Sequence, residues 1–339
     1  MSADTGFAIV SGAAIEGILS GQYRQVIDVI AHAYQLHGQG DSVNPDSYFL
    51  RFAQKPDARI IALPAYLGGD VDTAGLKWIS SFPGNIQHNL QRASAVLILN
   101  DFATGYPRAV LESSLISAHR TAASAALGAG ALTSGTRNVR KIGIIGAGVI
   151  ARQTLDYLFA DGWSAQEIAI HDLRPQDAGR FADWVNKKGM HVAHAVDDAR
   201  ASCEHSQLII LATTAVVPYL VEPGLFADAP TVLNISLRDI DPCLILAAQN
   251  VLDDVDHCLK ANTSPHLAEI KTGNRTFVAG TLHDVLNQRL LPDPDRARIF
   301  SPFGLGVLDI ALGDFVLKAA RASGIAVEID NFFASTARW

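Results

Sequence analysis

The sequence predicts an α/β protein in which a Rossmann-type, doubly wound parallel sheet is joined to a second domain of α+β type. The chain has 339 residues, enough for about two domains at roughly 150 residues each. Short apolar strands alternate with helical segments after residue 135. A glycine-rich turn, Gly146-Ala147-Gly148, lies between the first of these strands and the helix that follows it.

Extended apolar runs characterise the residues before position 134. Residues 59–66 and 95–100 are typical of strands, and the turn residues at 101–107 predict a hairpin connection to the next strand. The Ala- and Leu-rich stretch 112–132 predicts a helix. The polar residues 134–136 then mark the joint between a first domain at residues 1–134 and a second domain.

The second domain, residues 135–306, shows the alternation of strands and helices that is typical of a parallel sheet. Crossover helices between apolar strands imply that the sheet is covered on both faces. A helix is also predicted at 306–325, with one buried face formed by Val307, Ile310, Ala311, Phe315 and Leu317. The strands are predicted at 141–145, 167–171, 190–193, 207–213 and 231–235, with helices from the glycine turn to 161 and at 176–188.

Composition excludes several classes of protein. Apolar residues make up 49% of the chain and charged residues 18%, so the chain can bury a core and is not disordered. The net charge of -7 argues against a nucleic-acid partner, and no signal peptide or long apolar segment suggests a membrane. Cys203, Cys243 and Cys258 form no CxxC pair, so we expect no disulfide framework, no metal site and a cytoplasmic location.

The sharpest motif is the GxGxxA sequence Gly146-Ala147-Gly148-Val149-Ile150-Ala151. Its first glycine permits a tight turn, its second leaves room for a pyrophosphate, and its alanine lets the helix lie close to the sheet. The free N–H groups of the helix N-terminus favour phosphate. Asp172 ends the next strand, where its carboxylate can accept hydrogen bonds from ribose hydroxyls. These residues predict a dinucleotide site, and the alternative is a tight turn without a ligand.

Further residues bear on the choice of cofactor. Asp172 would repel the 2′-phosphate of NADP, so NAD is the predicted cofactor. Arg174 either softens that preference or is a solvated loop charge. Thr213, Thr214 and Ser236 follow two later strands, and ligands of such sheets lie beyond the carboxyl ends of the strands. Their hydroxyls are candidate contacts on the nicotinamide side, or else ordinary strand-end turn residues.

Four charged residues stand in apolar or turn-like surroundings: Lys77, Arg51, Arg120 and Asp239. An arginine among small residues is well shaped to bind a carboxylate with two hydrogen bonds. Asp239 follows a strand that we expect to end near the nicotinamide. From the residues alone, a structural ion pair is the favoured explanation for each of the four.

Several short motifs resemble the ornithine cyclodeaminase/μ-crystallin family over nearly the whole chain. They are Lys77 with Pro83 and Asn85, Thr104-Gly-Tyr-Pro107, Arg120-Thr-Ala-Ala123, Gly146-Ala-Gly148, Asp239, and Phe300-Ser-Pro-Phe-Gly304 before Asp309. The resemblance implies a homodimer, with a substrate-binding and dimerisation domain at residues 1–134 completed by the segment 307–339. It also implies that Arg120, Lys77 and Arg51 hold the substrate head group and that Asp239 is the acid–base carboxylate.

The residues after Asp239 depart from ornithine cyclodeaminases. A Pro-Gly-Lys-x-Glu-Leu type sequence is replaced by Ile240-Asp-Pro-Cys-Leu-Ile-Leu246. Other segments, including 82–87 and Ser236-Leu-Arg-Asp239, resemble a branch of the family that oxidatively cleaves a conjugate of glutamate and 2,3-diaminopropionate, a siderophore or peptide-antibiotic precursor. That small amino-acid conjugate has three carboxylates, and Arg238 is a candidate to bind one of them or is a surface charge.

Two alternative functions stay open at this point. One is an ornithine cyclodeaminase or a related imino-acid or alanine dehydrogenase. The other is a non-catalytic protein of the μ-crystallin type, which would bind NAD(P)H and a small ligand without turnover.

Overall fold

The structure, a computed structural model, describes residues 6–189 and 192–334. The chain divides into two compact units, of which unit 1 comprises residues 1–120 and 305–339 and unit 2 comprises residues 121–304. The division lies inside the helix Ser114–Leu132, whereas the sequence places the joint at 134–136, after that helix. Packing explains the difference. Gly128 lies so close to Phe300 of unit 2 that a Cβ at Gly128 would be 2.5 Å from the ring, so the second half of the helix belongs to unit 2.

Unit 1 is built on a mixed sheet with helices beside it. The described strands follow the order β16-β1-β7-β6-β5-β4-β2, with β3 also paired to β4, and every pairing except β1 with β7 is antiparallel. The hairpin predicted around residues 101–107 is confirmed as the connection between β6 and β7. The elements are β1 (Phe7–Val10), α1 (Gly12–Leu19), α2 (Tyr23–Gly38), β2 (Ser42–Val43), β3 (Tyr48–Phe52), β4 (Lys55–Leu67), β5 (Thr73–Ser81), a 3-10 turn (Pro83–His88), β6 (Ala93–Asp101), β7 (Pro107–Glu112) and the first turns of α3 (Ser114–Leu132), then α11 (Gly306–Ala322) and β16 (Val327–Ile329).

Helix α11 is buried around nearly its whole circumference, and not on one face as the sequence predicts. Phe315, expected in the buried face, is only half-buried, whereas Asp309 and Asp314 are buried. Gly313 explains how the helix comes so close to the sheet, because a Cβ there would lie 2.2 Å from Leu97 on β6. Asp309 precedes Gly313 by one helical turn and therefore faces the same side, toward the sheet.

Unit 2 contains a parallel sheet of the doubly wound type. The residues of β8 (Asn138–Ile145) toward its carboxyl end, and all residues of β11 and β12, are buried, as expected for strands covered on both faces. The other elements are α4 (Val149–Ala160), β9 (Ser164–His171), α5 (Pro175–Lys187), β10 (Ala193–Ala195), α6 (Ala199–Cys203), β11 (Leu208–Leu211), β12 (Thr231–Asn234), α7 (Pro242–Ala247), β13 (Gln249–Leu252), α8 (Val255–Cys258), α9 (Ser264–Thr272), β14 (Val278–Thr281), α10 (Leu282–Leu286) and β15 (Arg298–Ser301).

The strand order of unit 2 creates a topological switch point. The described strands run β10-β9-β8-β11-β12-β15-β13-β14, all in parallel, so the chain reverses its direction of sheet growth between β8 and β11. Ligands of such sheets bind outside the carboxyl ends of the strands at this point. The Rossmann-type fold predicted for this region is confirmed.

One predicted strand differs from the structure. The sequence places a strand at 190–193, but β10 begins at Ala193, and residues 190 and 191 lie outside the described residues. The side chain of Asn186 donates to the carbonyl oxygen of Ala193 and accepts from its N–H, at the first residue of β10. Among the described residues, no helix has the length and apolar character needed to cross a bilayer.

Candidate active site

The glycine-rich turn lies at the switch point of unit 2. Gly146 has φ +98°, and a Cβ there would lie 2.5 Å from the carbonyl oxygen of Ala212. Gly148 is the N-cap of α4, without a side-chain capping bond, and a Cβ on it would meet no atom within 4 Å. The space beside Gly148 at the N-terminus of α4 is therefore open, and the first N–H groups of a helix have no partner within the helix, which fits a dinucleotide pyrophosphate. Residues Gly146, Ala147, Gly148, Val149 and Ile150 form this turn.

Asp172 lies beside the turn. Its Oδ2 accepts a hydrogen bond from the Ala147 N–H at 2.8 Å, and its Oδ1 accepts one from the Arg174 N–H at 2.9 Å. The remaining lone pairs leave room for ribose hydroxyls. The Arg174 guanidinium is exposed and pairs with Asp177 at 2.6 Å, so it is a solvated charge at the start of α5.

The two glycines predict different outcomes on substitution. Gly146→Ala should lower the melting temperature by several degrees, because the strained φ and the contact with Ala212 leave no room for a methyl group. Gly148→Ala should leave the melting temperature unchanged and weaken NADH binding at least tenfold, because its methyl group occupies the space beside α4. Thermal unfolding and NADH fluorescence titration measure the two effects. Wild-type NADH affinity in the Gly148→Ala protein would contradict the assignment.

A second cluster in unit 2 surrounds Asp239, which is fully buried. Ser236 donates to its Oδ2 at 2.6 Å, Tyr219 donates to Oδ2 at 3.1 Å, and the Thr213 hydroxyl lies 2.8 and 2.9 Å from the two oxygens. Burial raises the pKa of the Asp239 carboxyl, and these hydroxyl donors oppose that rise. A carboxylate that titrates closer to neutrality is suited to take up and return a proton.

The three strand-end hydroxyls that the sequence predicts as nicotinamide contacts do not all lie at this cluster. Thr213 and Ser236 contact Asp239, whereas Thr214 is exposed. Tyr219 was not found from the sequence, because a tyrosine in a loop gives no signal of the carboxylate that it will contact. Arg238 is half-buried and donates to the carbonyl oxygen of Ala261 at 2.9 Å.

Unit 1 holds a buried cluster of charges. Lys77 on β5 and Asp309 on α11 form an ion pair of 2.6 Å, with 2% and 0% of their side chains exposed. The Arg120 Nε lies 3.2 Å from the other oxygen of Asp309, and Ser117 accepts from both Lys77 and Arg120. Burial lowers the pKa of Lys77 to about 8, and Asp309 opposes this while Arg120 adds to it. Two cations share one anion, so the cluster has a net positive charge suited to a carboxylate.

The sequence analysis does not predict Asp309 as a site residue, although Asp309 belongs to the motifs that carry the family resemblance. Arg51 is not part of the cluster. It lies exposed on β3, where its guanidinium is 5.3 Å from the centre of the Phe49 ring. No group of three or more histidine, cysteine, aspartate or glutamate side chains that could hold a metal occurs among the described residues.

Sequence comparison places the chain in a known family. The model described as "Ornithine cyclodeaminase/mu-crystallin family" matches residues 11–324. The chain belongs to this family, as its motifs predict, and the predicted class of oxidoreductase is confirmed.

One similar protein is the N-((2S)-2-amino-2-carboxyethyl)-L-glutamate dehydrogenase of Staphylococcus aureus, which is 29% identical over 332 residues, covering 92% of this chain and 95% of the relative. Two solved structures share the fold at 23% identity. Thermococcus litoralis Δ1-pyrroline-2-carboxylate reductase, in complex with NADH and L-proline, has a TM-score of 0.85 and covers 95% of this chain and 100% of that one. An archaeal alanine dehydrogenase dimer with bound NAD has a TM-score of 0.84 and covers 97% and 100%.

Proposed function

We propose that this NAD-dependent oxidoreductase cleaves N-((2S)-2-amino-2-carboxyethyl)-L-glutamate into 2-oxoglutarate and L-2,3-diaminopropionate. The observation that carries the proposal is the buried Asp239, an acid–base group held by three hydroxyls. The substrate is supported by the similarity to the Staphylococcus aureus dehydrogenase over 92% of the chain. The product would serve a siderophore or a peptide natural product.

The residues of the glycine turn fit the cofactor. The backbone of Gly146–Ile150 would hold the pyrophosphate of NAD, and Asp172 would accept hydrogen bonds from the adenosine ribose. Arg174 is engaged with Asp177, so Asp172 decides the preference, and its charge favours NAD over NADP. When bound, NAD supplies a hydride acceptor for oxidation of the carbon next to the substrate nitrogen.

Asp239 would take the proton from the secondary amine as the bond between carbon and nitrogen is oxidised. Asp239 would return this proton to the nitrogen of the resulting imine. The regenerated carboxylate would then accept a proton from the water that adds to the imine carbon and pass it to the departing amine. The products are a keto acid and a primary amine. Thr213 and Ser236 would act through Asp239 and hold it in place.

The positive cluster of unit 1 would fix substrate carboxylates. Arg120 and Lys77 carry two positive charges against the single negative charge of Asp309, which leaves one charge to be balanced by a carboxylate. Fixing the carboxylates orients the carbon that is oxidised, which is a contribution from positioning. The substrate has three carboxylates, and Arg51 and Arg238 are the proposed partners of the others.

The Lys77 ammonium should make substrate binding depend on pH. With a pKa of about 8, Lys77 is charged below pH 8 and loses its charge above that value. We therefore expect the KM for the amino-acid substrate to rise above pH 8 and the KM for NAD to stay constant. Initial rates measured from about pH 6.5 to about pH 9.5 give both constants. This range extends roughly one and a half units to either side of the expected transition. The Lys77→Met variant is the control, since its KM should be high and show no transition near pH 8.

One assay separates the proposed function from the alternatives. The protein is incubated with NAD and with the glutamate–diaminopropionate conjugate, L-ornithine or L-alanine, while NADH absorbance is followed. The proposal expects NADH and 2-oxoglutarate from the conjugate alone. Proline formed from ornithine without net NADH would identify a cyclodeaminase, and NADH from alanine an alanine dehydrogenase. Saturable NADH binding without turnover of any substrate would identify a non-catalytic binding protein.

We also propose that the chain forms a homodimer through unit 1. Support comes from apolar side chains left exposed on its sheet, among them Tyr48, Leu50 and Trp78, and from the dimer in the archaeal structure that shares the fold. Sedimentation velocity of the wild-type protein, compared with a Tyr48→Lys/Leu50→Lys variant, tests this. The predicted cytoplasmic location stays a prediction.

A further inference from the structure

We propose that Tyr219 is a positioning residue that keeps the Asp239 carboxylate ionised and directs one particular oxygen, Oδ1, to the proton transfer. This inference rests on the proposed acid–base role of Asp239. It is carried by the contacts around Asp239 within unit 2.

Two sets of hydrogen bonds fix Tyr219 to Asp239. Its hydroxyl donates to Oδ2 at 3.1 Å. Its backbone N–H donates to the carbonyl oxygen of Asp239 at 3.1 Å, and the Leu220 N–H donates to the same oxygen at 3.0 Å. The Asp241 N–H closes this short bridge by donating to the carbonyl oxygen of Leu220 at 2.9 Å. The main chain therefore holds the phenol in register with the carboxylate, independently of the hydroxyl contact.

The donors are unevenly shared between the two carboxylate oxygens. Oδ2 accepts from Ser236 at 2.6 Å and from Tyr219 at 3.1 Å. Oδ1 has one contact among the described residues, the Thr213 hydroxyl at 2.8 Å, whose single proton it shares with Oδ2. That hydroxyl accepts from the Ala215 N–H, so its proton points toward the carboxylate. Each carboxylate oxygen has about two lone pairs, so Oδ1 keeps the capacity to accept a proton.

In the described part of the chain, the donors to this buried carboxylate are all neutral hydroxyls. Among the described residues, no lysine, arginine or histidine forms an ion pair with Asp239. The titratable group that faces the Asp239 carboxylate is Tyr219, and the buried Cys203 lies near Tyr219. Burial, together with the nearby negative charge of Asp239, raises the pKa of the Tyr219 phenol well above its usual value, so this group stays protonated and remains a donor. Loss of one donor must therefore disfavour the ionised carboxylate.

The Tyr219→Phe variant tests the inference, because it removes the hydroxyl and keeps the ring. In protein labelled with ¹³C at the aspartate carboxyl carbon, NMR titration without cofactor or substrate reports the pKa of Asp239, which Asp239→Asn assigns. We expect the Asp239 pKa to rise by about one unit in Tyr219→Phe, since a hydrogen bond to a charged group contributes about that much. The acid limb of kcat against pH should move upward by the same amount.

Tyr66→Phe is the matched control, because Tyr66 in unit 1 also donates to an aspartate, Asp72, at 3.0 Å. It should leave the Asp239 titration unchanged. An unchanged Asp239 titration in Tyr219→Phe, or an equal shift in Tyr66→Phe, would overturn the inference. If Tyr219→Phe does not fold, 3-fluorotyrosine at position 219 replaces it: this stronger donor should lower the Asp239 pKa, and a rise or no change would overturn the inference. The NMR result decides even if the proposed substrate is not turned over, so the two failures are distinguishable.

Discussion

Asp239→Asn should lower kcat by about a thousandfold and leave the affinity for NADH at its wild-type value. Removal of a positioned acid–base group typically costs between about a hundredfold and ten-thousandfold in rate. Asparagine keeps the size of the side chain, and the glycine turn that we assign to NAD does not contact Asp239 through any described hydrogen bond. Stopped-flow hydride transfer and NADH titration measure the two quantities. Turnover within tenfold of wild type would refute the acid–base role.

The same substitution should change how stability depends on pH. Burial raises the Asp239 pKa in the folded state, so between the ordinary carboxyl value and the folded value the folded protein binds more protons than the unfolded chain. The wild-type free energy of unfolding therefore falls as pH rises through this window, and Asp239→Asn lacks this loss. The melting temperature of Asp239→Asn, relative to that of the wild type, should therefore increase as the pH rises through this window.

Asp241→Asn provides a control of opposite sign. Asp241 is the N-cap of α7, and the hydrogen bond from the Cys243 N–H lowers its pKa. Wild-type stability from this group is present above its unfolded pKa and is lost as pH falls through the folded value. Because asparagine is also a good N-cap, Asp241→Asn should retain turnover. Its stability should differ from that of the wild type only in lacking the loss that the wild type shows as pH falls. Identical pH profiles for the two variants would contradict both assignments.

Asp309→Leu should lower the free energy of unfolding by about 3–5 kcal/mol, because it leaves the buried Lys77 and the partly buried Arg120 without their shared anion. The Lys77→Met/Asp309→Leu protein should recover much of this loss, since an apolar pair replaces a buried ion pair at small cost. Urea unfolding of the wild type, both single variants and the double variant completes the cycle.

The exposed pair of His32 and Asp70 is the control for this cycle. It has the same donor–acceptor distance, 2.6 Å, but the side chains are 49% and 77% exposed. Asp70→Leu should therefore change the free energy of unfolding by less than about 1 kcal/mol. An Asp309→Leu protein as stable as Asp70→Leu would show that the buried cluster is not held by Asp309.

The sequence could predict those parts of the site that depend on local geometry. The glycine turn needs a positive φ, an open N-terminus and a carboxylate at the next strand end, and each requirement is met by residues close together in the chain, such as Gly146 and Asp172. The partners of the buried charges could not be predicted in this way. Lys77 and Asp309 are 232 residues apart, and they meet because α11 lies close to the sheet, as the contacts of Gly75 on β5 with Ile310 and of Gly313 with Leu97 show.

The same limit applies to Tyr219. Its role depends on a bridge between two irregular segments, for which neither periodicity nor spacing gives a signal. Arg51 shows the opposite case: its charge is conspicuous in an apolar strand, yet the strand leaves it at the surface. A charged residue in an apolar run therefore indicates burial only when the fold supplies a counter-ion, as it does for Lys77.

The position of α11 has a consequence for synthesis of the protein. Unit 2 is a continuous segment, residues 121–304, whereas unit 1 needs residues on both sides of it. During translation, unit 2 has all its strands before Asp309 is made, while β5 and α3 must wait with Lys77 and Arg120 uncompensated. Domains fold as units as they emerge from the ribosome. We therefore expect the inserted unit to form first and the other unit, which needs residues from both sides of it, to be completed afterwards.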